Sequence, residues 1–174
     1  MELLCTNTRS SKTSIQTEFG WLSGLLCGEN GNLLGQYSIA LDYPVVHVAA
    51  WPQFLTFGMN VADFINTAGK AVAFSVATYV INAAAVVSDA EIEVYGIDER
   101  TKNFMRSEQK RKRAAFFAPG GIEVAGSIDA NIRDEILFAG IDLDAVKRYK
   151  HTFDFAGHHS RLETFAYHFK TYLL

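Results

Sequence analysis

Only two of the 174 residues are cysteine, Cys5 and Cys27, and neither belongs to a Cys-x-x-Cys pair. Thiols so few and so placed argue against a disulfide scaffold and exclude, by count, a metal centre built on thiolates. Proline is equally scarce, at three residues, and no low-complexity run or linker divides the chain. One domain over residues 1–174 is the expectation. The first residues, Met1-Glu2-Leu3-Leu4-Cys5-Thr6, lack the basic-then-apolar layout of a secretory signal, and no Asn-x-Ser/Thr sequon occurs. These absences point to the cytoplasm, or to a virion assembled there.

Charge of one sign is also missing. Sixteen Lys and Arg stand against 19 Asp and Glu, a net charge of −3. That balance recruits neither nucleic acid nor an anionic membrane over the whole surface. The one long stretch without formal charge, Ala71 to Val87, is short for a membrane span and is interrupted by Ser75, Thr78 and Asn82. It fits strands buried on both faces better. Catalytic signatures are absent too: no Gly-x-Ser-x-Gly elbow, no His-Glu-x-x-His and no Walker loop.

What the chain does have is apolar bulk, 49% hydrophobic residues with 13 Phe, 7 Tyr and 2 Trp. Much of it alternates with period two, the pattern of a strand with one buried face. From Thr13 to Leu25 the odd positions include Ile15, Phe19, Trp21 and Leu25. Gly28-Glu29-Asn30-Gly31-Asn32 then reads as a hairpin turn, with Leu33, Gly35, Tyr37, Ile39 and Leu41 returning on one face. A second hairpin is expected at the C-terminus, where Tyr149, His151, Phe153 and Phe155 precede Phe165, Tyr167 and Phe169. Val45–Val48, Phe54–Phe57, Ala90–Ile97 and Ile122–Ala125 are further strand candidates. Two short helices are expected: one capped by Asn60 with Val61, Phe64, Ile65 and Ala68 on one stripe and a stop at Gly69, the other from Asp129 to Phe138. A turn is expected to start at Asp142 or Asp144. About eight to ten strands cannot bury both faces as one flat sheet, so the expected fold class is mainly β, an antiparallel sandwich or barrel.

Three clusters are candidates for function. His151, His158, His159 and His168, with Glu163, carry ligand types suited to a divalent metal, although turn histidines are ordinarily solvated. Otherwise no cofactor is expected. Arg106, Lys110, Arg111, Lys112 and Arg113 form a basic run suited to phosphate or an acidic partner, with nucleic acid the weaker option because no aromatic interleaves it. Trp21, Phe165, Tyr167 and Phe169 offer apolar area for self-association. Cys27 reads as a structural, half-buried thiol. The leading expectation is a non-enzymatic structural or binding protein of the phage, tail or virion type, forming homo-oligomers through strand edges. The alternatives are a metal-dependent β-barrel enzyme or metal-binding protein and a small inhibitor or immunity-type protein with a protein partner.

Overall fold

The computed structural model describes residues 13–53, 59–111, 113–124, 136–164 and 166–167. Its strands are β1 (Ser14–Thr17), β2 (Gly20–Leu26), β3 (Val46–Trp51), β4 (Tyr79–Ala84), β5 (Ala115–Ala118) and β6 (Ile122–Glu123). They form one six-stranded sheet whose spatial order follows the chain. β2, β3 and β4 are parallel, while β1, β5 and β6 join antiparallel at the two sides. The helices are α1 (Leu33–Ala40), α2 (Val61–Ser75), α3 (Asp89–Tyr95), α4 (Glu99–Gln109) and α5 (Leu143–Thr152).

This mixed α/β arrangement corrects the expectation of an all-β sandwich or barrel. The errors share a cause: short segments that satisfy period two also satisfy a helical stripe, and the caps decide. Asn32 accepts from Leu34 N and Gly35 N, starting α1 where a returning strand was expected; its buried residues, Gln36, Ile39 and Ala40, lie on one helical face. Ser88 and Glu91 form a reciprocal capping box that starts α3 within the expected Ala90–Ile97 strand. Asp142 caps α5, so Tyr149 and His151 are helical and no C-terminal hairpin arm forms there. The expected helix after Asn60 is present, but it runs past Gly69 to Ser75. The segments Phe54–Phe57 and 129–135 lie outside the described residues. No described helix is long and apolar enough to cross a membrane.

The two faces of the sheet differ. One carries Leu25, Ala49, Trp51, Val80, Ala115 and Phe117, all buried beneath α1 and α2 with Ile39, Val61, Ile65 and Val72. The alternate residues point the other way. There Val46 and Tyr79 pack on Val146 of α5. Beyond that cover the face stays apolar yet open: Ile15 is 65% exposed, Leu26 67% and Val48 38%. Ile81 and Phe116 are half-buried on the same face.

A buried ion pair ties Gln53 and Val61 to the end of α4. Arg113 Nη2 lies 3.0 Å from Glu108 Oε2, and that carboxylate oxygen also accepts from Val61 N at 3.2 Å. Arg113 Nη1 donates to the Gln53 carbonyl. The pair thus links both flanks of the segment between β3 and α2 to the end of α4.

Candidate active site at the rim of the parallel strands

Parallel strands deliver the segments that follow them to the same rim, which is where open α/β sheets commonly place chemistry. Here the register aligns Leu26 with Ala50 and Ala50 with Ala83, so the chain leaves β2, β3 and β4 at one edge. The first residue beyond β2 is Cys27. Its φ is +47°, a left-handed conformation that costs a non-glycine residue about 1–2 kcal/mol. The thiol is free and half-buried. A 3-10 turn, Cys27–Gly31, carries the chain from this residue towards α1. Strand, left-handed nucleophile-type residue and helical turn are the parts of a nucleophile elbow, in which a reactive side chain is held clear of the sheet.

Hydrogen bonds lock the turn. Glu29 Oε2 accepts from Leu26 N at 3.0 Å. Asn30 is fully buried, and its Nδ2 donates to the carbonyls of Leu25 (3.1 Å) and Cys27 (3.0 Å). Its Oδ1 lies 2.9 Å from His47 Nε2, and His47 Nδ1 lies 2.9 Å from Ser23 Oγ. The Asn30 carbonyl accepts from Gln36 Nε2 at 2.8 Å, and Gln36 Oε1 accepts from Ser75 Oγ at 2.9 Å. Burial lowers the His47 pKa to about 4, so the ring is neutral near pH 7. Because Asn30 Oδ1 can only accept, the proton sits on Nε2 and Nδ1 accepts from Ser23.

Among the described residues, the clusters singled out from sequence do not converge on this rim. His151 is exposed in the last turn of α5; His158 and His159 stack on each other with ring centroids 4.3 Å apart in an exposed turn. Glu163 pairs with Arg161, and His168 lies outside the described residues. Among the described residues no group of three or more His, Cys, Asp or Glu is placed to hold a metal ion. Arg106 faces Glu93 and Glu99, Arg111 faces Glu108 and Asp63, Lys110 is exposed, Arg113 is buried, and Lys112 lies outside the described residues. Of the aromatics, Trp21 is half-buried in β2 and Tyr167 is exposed, while Phe165 and Phe169 fall outside the described side chains.

One unusual lysine lies at the opposite end of the strands. Lys150 Nζ is 3.4 Å from the Val76 carbonyl and 4.8 Å from the Tyr43 ring centroid, and burial lowers its pKa to about 8. Val76 and Tyr43 precede β4 and β3, so Lys150 is a sheet's length away from Cys27.

No family model matches the chain. The fold nevertheless resembles two solved structures of one class. A carbon-nitrogen hydrolase from Helicobacter pylori G27 superposes with a TM-score of 0.63 at 16% identity, over 86% of this chain and 49% of that one. Nit3 of Saccharomyces cerevisiae, a member of branch 10 of the nitrilase superfamily, gives 0.57 at 13% identity, over 86% and 48%. The mixed six-stranded sheet and its helices thus share the fold of about half of each of these two proteins.

Sequence relatives agree. An aliphatic nitrilase of Rhodococcus rhodochrous is 30% identical over 156 residues, 87% of this chain and 42% of the relative. A bromoxynil-specific nitrilase of Klebsiella pneumoniae subsp. ozaenae is 26% identical over 153 residues, with the same coverage of 87% and 42%. A nitrilase of Pseudomonas syringae pv. syringae is 28% identical over 156 residues, 87% of this chain and 46% of the relative. The chain thus spans about half the length of the curated relatives it matches.

These relatives are enzymes, which overturns the expectations of a non-enzymatic virion or tail component and of a small inhibitor. The residue that sequence reasoning set aside was Cys27. The signal for it was present: a strand-like run ending in Leu25-Leu26, then Cys27, then Asn32 as a helix cap. Reading Asn30-Gly31 as a hairpin turn concealed it.

Proposed function

We propose that this chain is part of a nitrilase-type carbon–nitrogen hydrolase in which Cys27 is the nucleophile. The observation that carries the reading is the left-handed backbone of Cys27 at the rim where β2 ends. Relatives named as nitrilases over most of the chain's length supply the reaction class.

The chemistry follows from the thiol. The Cys27 sulfur adds to the nitrile carbon, one C–N π bond breaks, and the nitrogen takes a proton, giving a thioimidate. Water adds to that carbon, the C–N bond breaks, and ammonia leaves a thioester. A second water releases the carboxylic acid and restores the thiol. The full cycle consumes two waters per nitrile and needs no redox partner. Enzymes of the superfamily use a Cys-Glu-Lys triad without a metal cofactor. In such a set the carboxylate takes the thiol proton and the lysine stabilises the negative charge that develops on nitrogen. The described residues supply the cysteine. Glu29 is committed to Leu26 N, and Lys150 lies at the far end of the sheet. The glutamate and lysine are therefore assigned to polypeptide outside the described residues.

The open apolar face fits the same reading. In an alpha-beta-beta-alpha arrangement two sheets pack face to face between helix layers. Here α1 and α2 cover one face, and Ile15, Leu26, Val48 and Ile81 await a second sheet. The relatives' names include a bromoxynil-specific and an aliphatic nitrilase, so the substrate is assigned as a nitrile with its side group left open.

Intact-mass analysis of the full chain incubated with 4-cyanopyridine, an electrophilic aryl nitrile, tests the assignment. The expected product is a single adduct of the nitrile's mass on Cys27, absent from Cys27→Ala although Cys5 remains. Equal labelling of Cys5 and Cys27, or no adduct while iodoacetamide still alkylates Cys27, would overturn the reading.

A further inference from the structure

We propose that His47 is a positioning residue for Cys27, holding the Asn30 carboxamide so that it clamps the Cys27 carbonyl and fixes the left-handed backbone presenting the thiol. The inference rests on Cys27 being the reactive residue, and it assigns work to a side chain on the neighbouring strand.

Three observations support it. His47 and Asn30 are both fully buried, and an unpaired amide or ring nitrogen there would carry a large desolvation cost. Each atom of the Asn30 carboxamide is committed: Nδ2 to the Leu25 and Cys27 carbonyls, Oδ1 to His47 Nε2. The carbonyls it holds flank the place where the chain turns from extended at Leu26 (φ −107°) to left-handed at Cys27 (φ +47°). Without the Nε2 donor the buried Asn30 Oδ1 would lose its partner, and the carboxamide would hold the Cys27 carbonyl less firmly.

A purely structural role is the competing account, since Ser23–His47 also stitches β2 to β3. Two substitutions separate the roles by geometry. Asn reaches as far as the imidazole Nδ1, so His47→Asn keeps a partner for Ser23 and loses the one for Asn30. Gln reaches towards the Nε2 position, so His47→Gln keeps a donor to Asn30 and gives up Ser23. Each variant sacrifices one buried hydrogen bond, so thermal unfolding should fall by similar amounts in both.

The experiment measures the rate constant for iodoacetamide alkylation of Cys27 in the full chain carrying Cys5→Ser. The expected result is a fall of about tenfold in His47→Asn, of the size that small misplacements of reacting groups produce. His47→Gln and Ser23→Ala should stay within roughly twofold of the parent, because neither disturbs the clamp. Equal rates in His47→Asn and His47→Gln would overturn the proposal. If His47→Asn does not fold, Asn30→Asp replaces it: the shape is kept and the donor to the Cys27 carbonyl is lost. An unchanged rate in that variant would likewise overturn the proposal. Alkylation needs no nitrile turnover, so a failure of the nitrilase assignment would leave this result standing.

Discussion

Gly69 on α2 lies so close over Asn82 on β4 that a Cβ at position 69 would stand 2.8 Å from both Asn82 Nδ2 and Oδ1. The amide cannot step aside, because Oδ1 accepts from Trp51 Nε1 at 3.1 Å and Nδ2 donates to the Ile65 carbonyl at 2.9 Å. Phe117 Cε2 would be as near, at 2.8 Å. Gly69→Ala should therefore cost about 3 kcal/mol in urea unfolding despite the better helix propensity of alanine. Gly140→Ala, where nothing lies within 4 Å, should cost almost nothing and serves as the control. Equal stability of the two variants would count against the close approach.

The neutral His47 makes stability depend on pH. Its pKa is lowered from 6.5 to about 4 by burial, so the unfolded chain binds a proton between those values that the folded chain does not. The contribution is fully present above pH 6.5 and is lost as pH falls towards 4, up to about 3 kcal/mol. His47→Gln should flatten that part of a stability–pH curve. A variant curve parallel to the parent's would refute the assignment.

Glu108 and Arg113 are each about 2% exposed in their side chains, so removing one strands the other. Glu108→Met should cost about 3–5 kcal/mol, and Arg113→Met a similar amount. The double replacement by Met at both positions should cost clearly less than the two single effects added together. Additive losses in a double-mutant cycle would show that the pair is not coupled.

The uncovered sheet face should make the isolated chain associate with itself or bind an apolar dye. Val48→Lys, at a position 38% exposed on that face, should raise the monomer fraction in sedimentation without lowering the melting temperature. A parent chain that stays monomeric and binds no dye would argue that the face is already covered.

Parts of this architecture are legible in the sequence. Trp21 to Leu25 is a strand, Val46 to Val48 is extended, and Asn60 does cap a helix carrying Val61 and Ile65. A turn at Glu18-Phe19, however, divides the expected Thr13–Leu25 run and puts Ile15 opposite Leu22, on the other face from Trp21 and Leu25. The sheet's order was not legible, because β2–β3 and β3–β4 pair strands separated by whole helices, and no local pattern records which distant strand will be a neighbour. Nor was α1, whose Leu33, Gly35, Tyr37, Ile39 and Leu41 satisfy period two as well as Gln36, Ile39 and Ala40 satisfy a helix. The histidines and aromatics of the C-terminus drew attention through their chemistry, whereas Cys27 was marked only by its place between a strand-like run and the Asn32 cap, and its left-handed backbone is visible only in the structure. His47 was passed over for the same reason: one histidine in an apolar strand gains meaning only from Asn30 and Ser23 beside it.

Because β2, β3 and β4 all run the same way, the segments after Leu26, Trp51 and Ala84 emerge on one side of the molecule. Beyond the Asn30 that reaches back to His47, those connections can change length or composition with the pairing of the strands kept. The sheet acts as a fixed chassis and the rim as its interchangeable fittings. Variation among proteins of this fold should thus be sought in insertions at these three places, with the strands themselves left almost untouched.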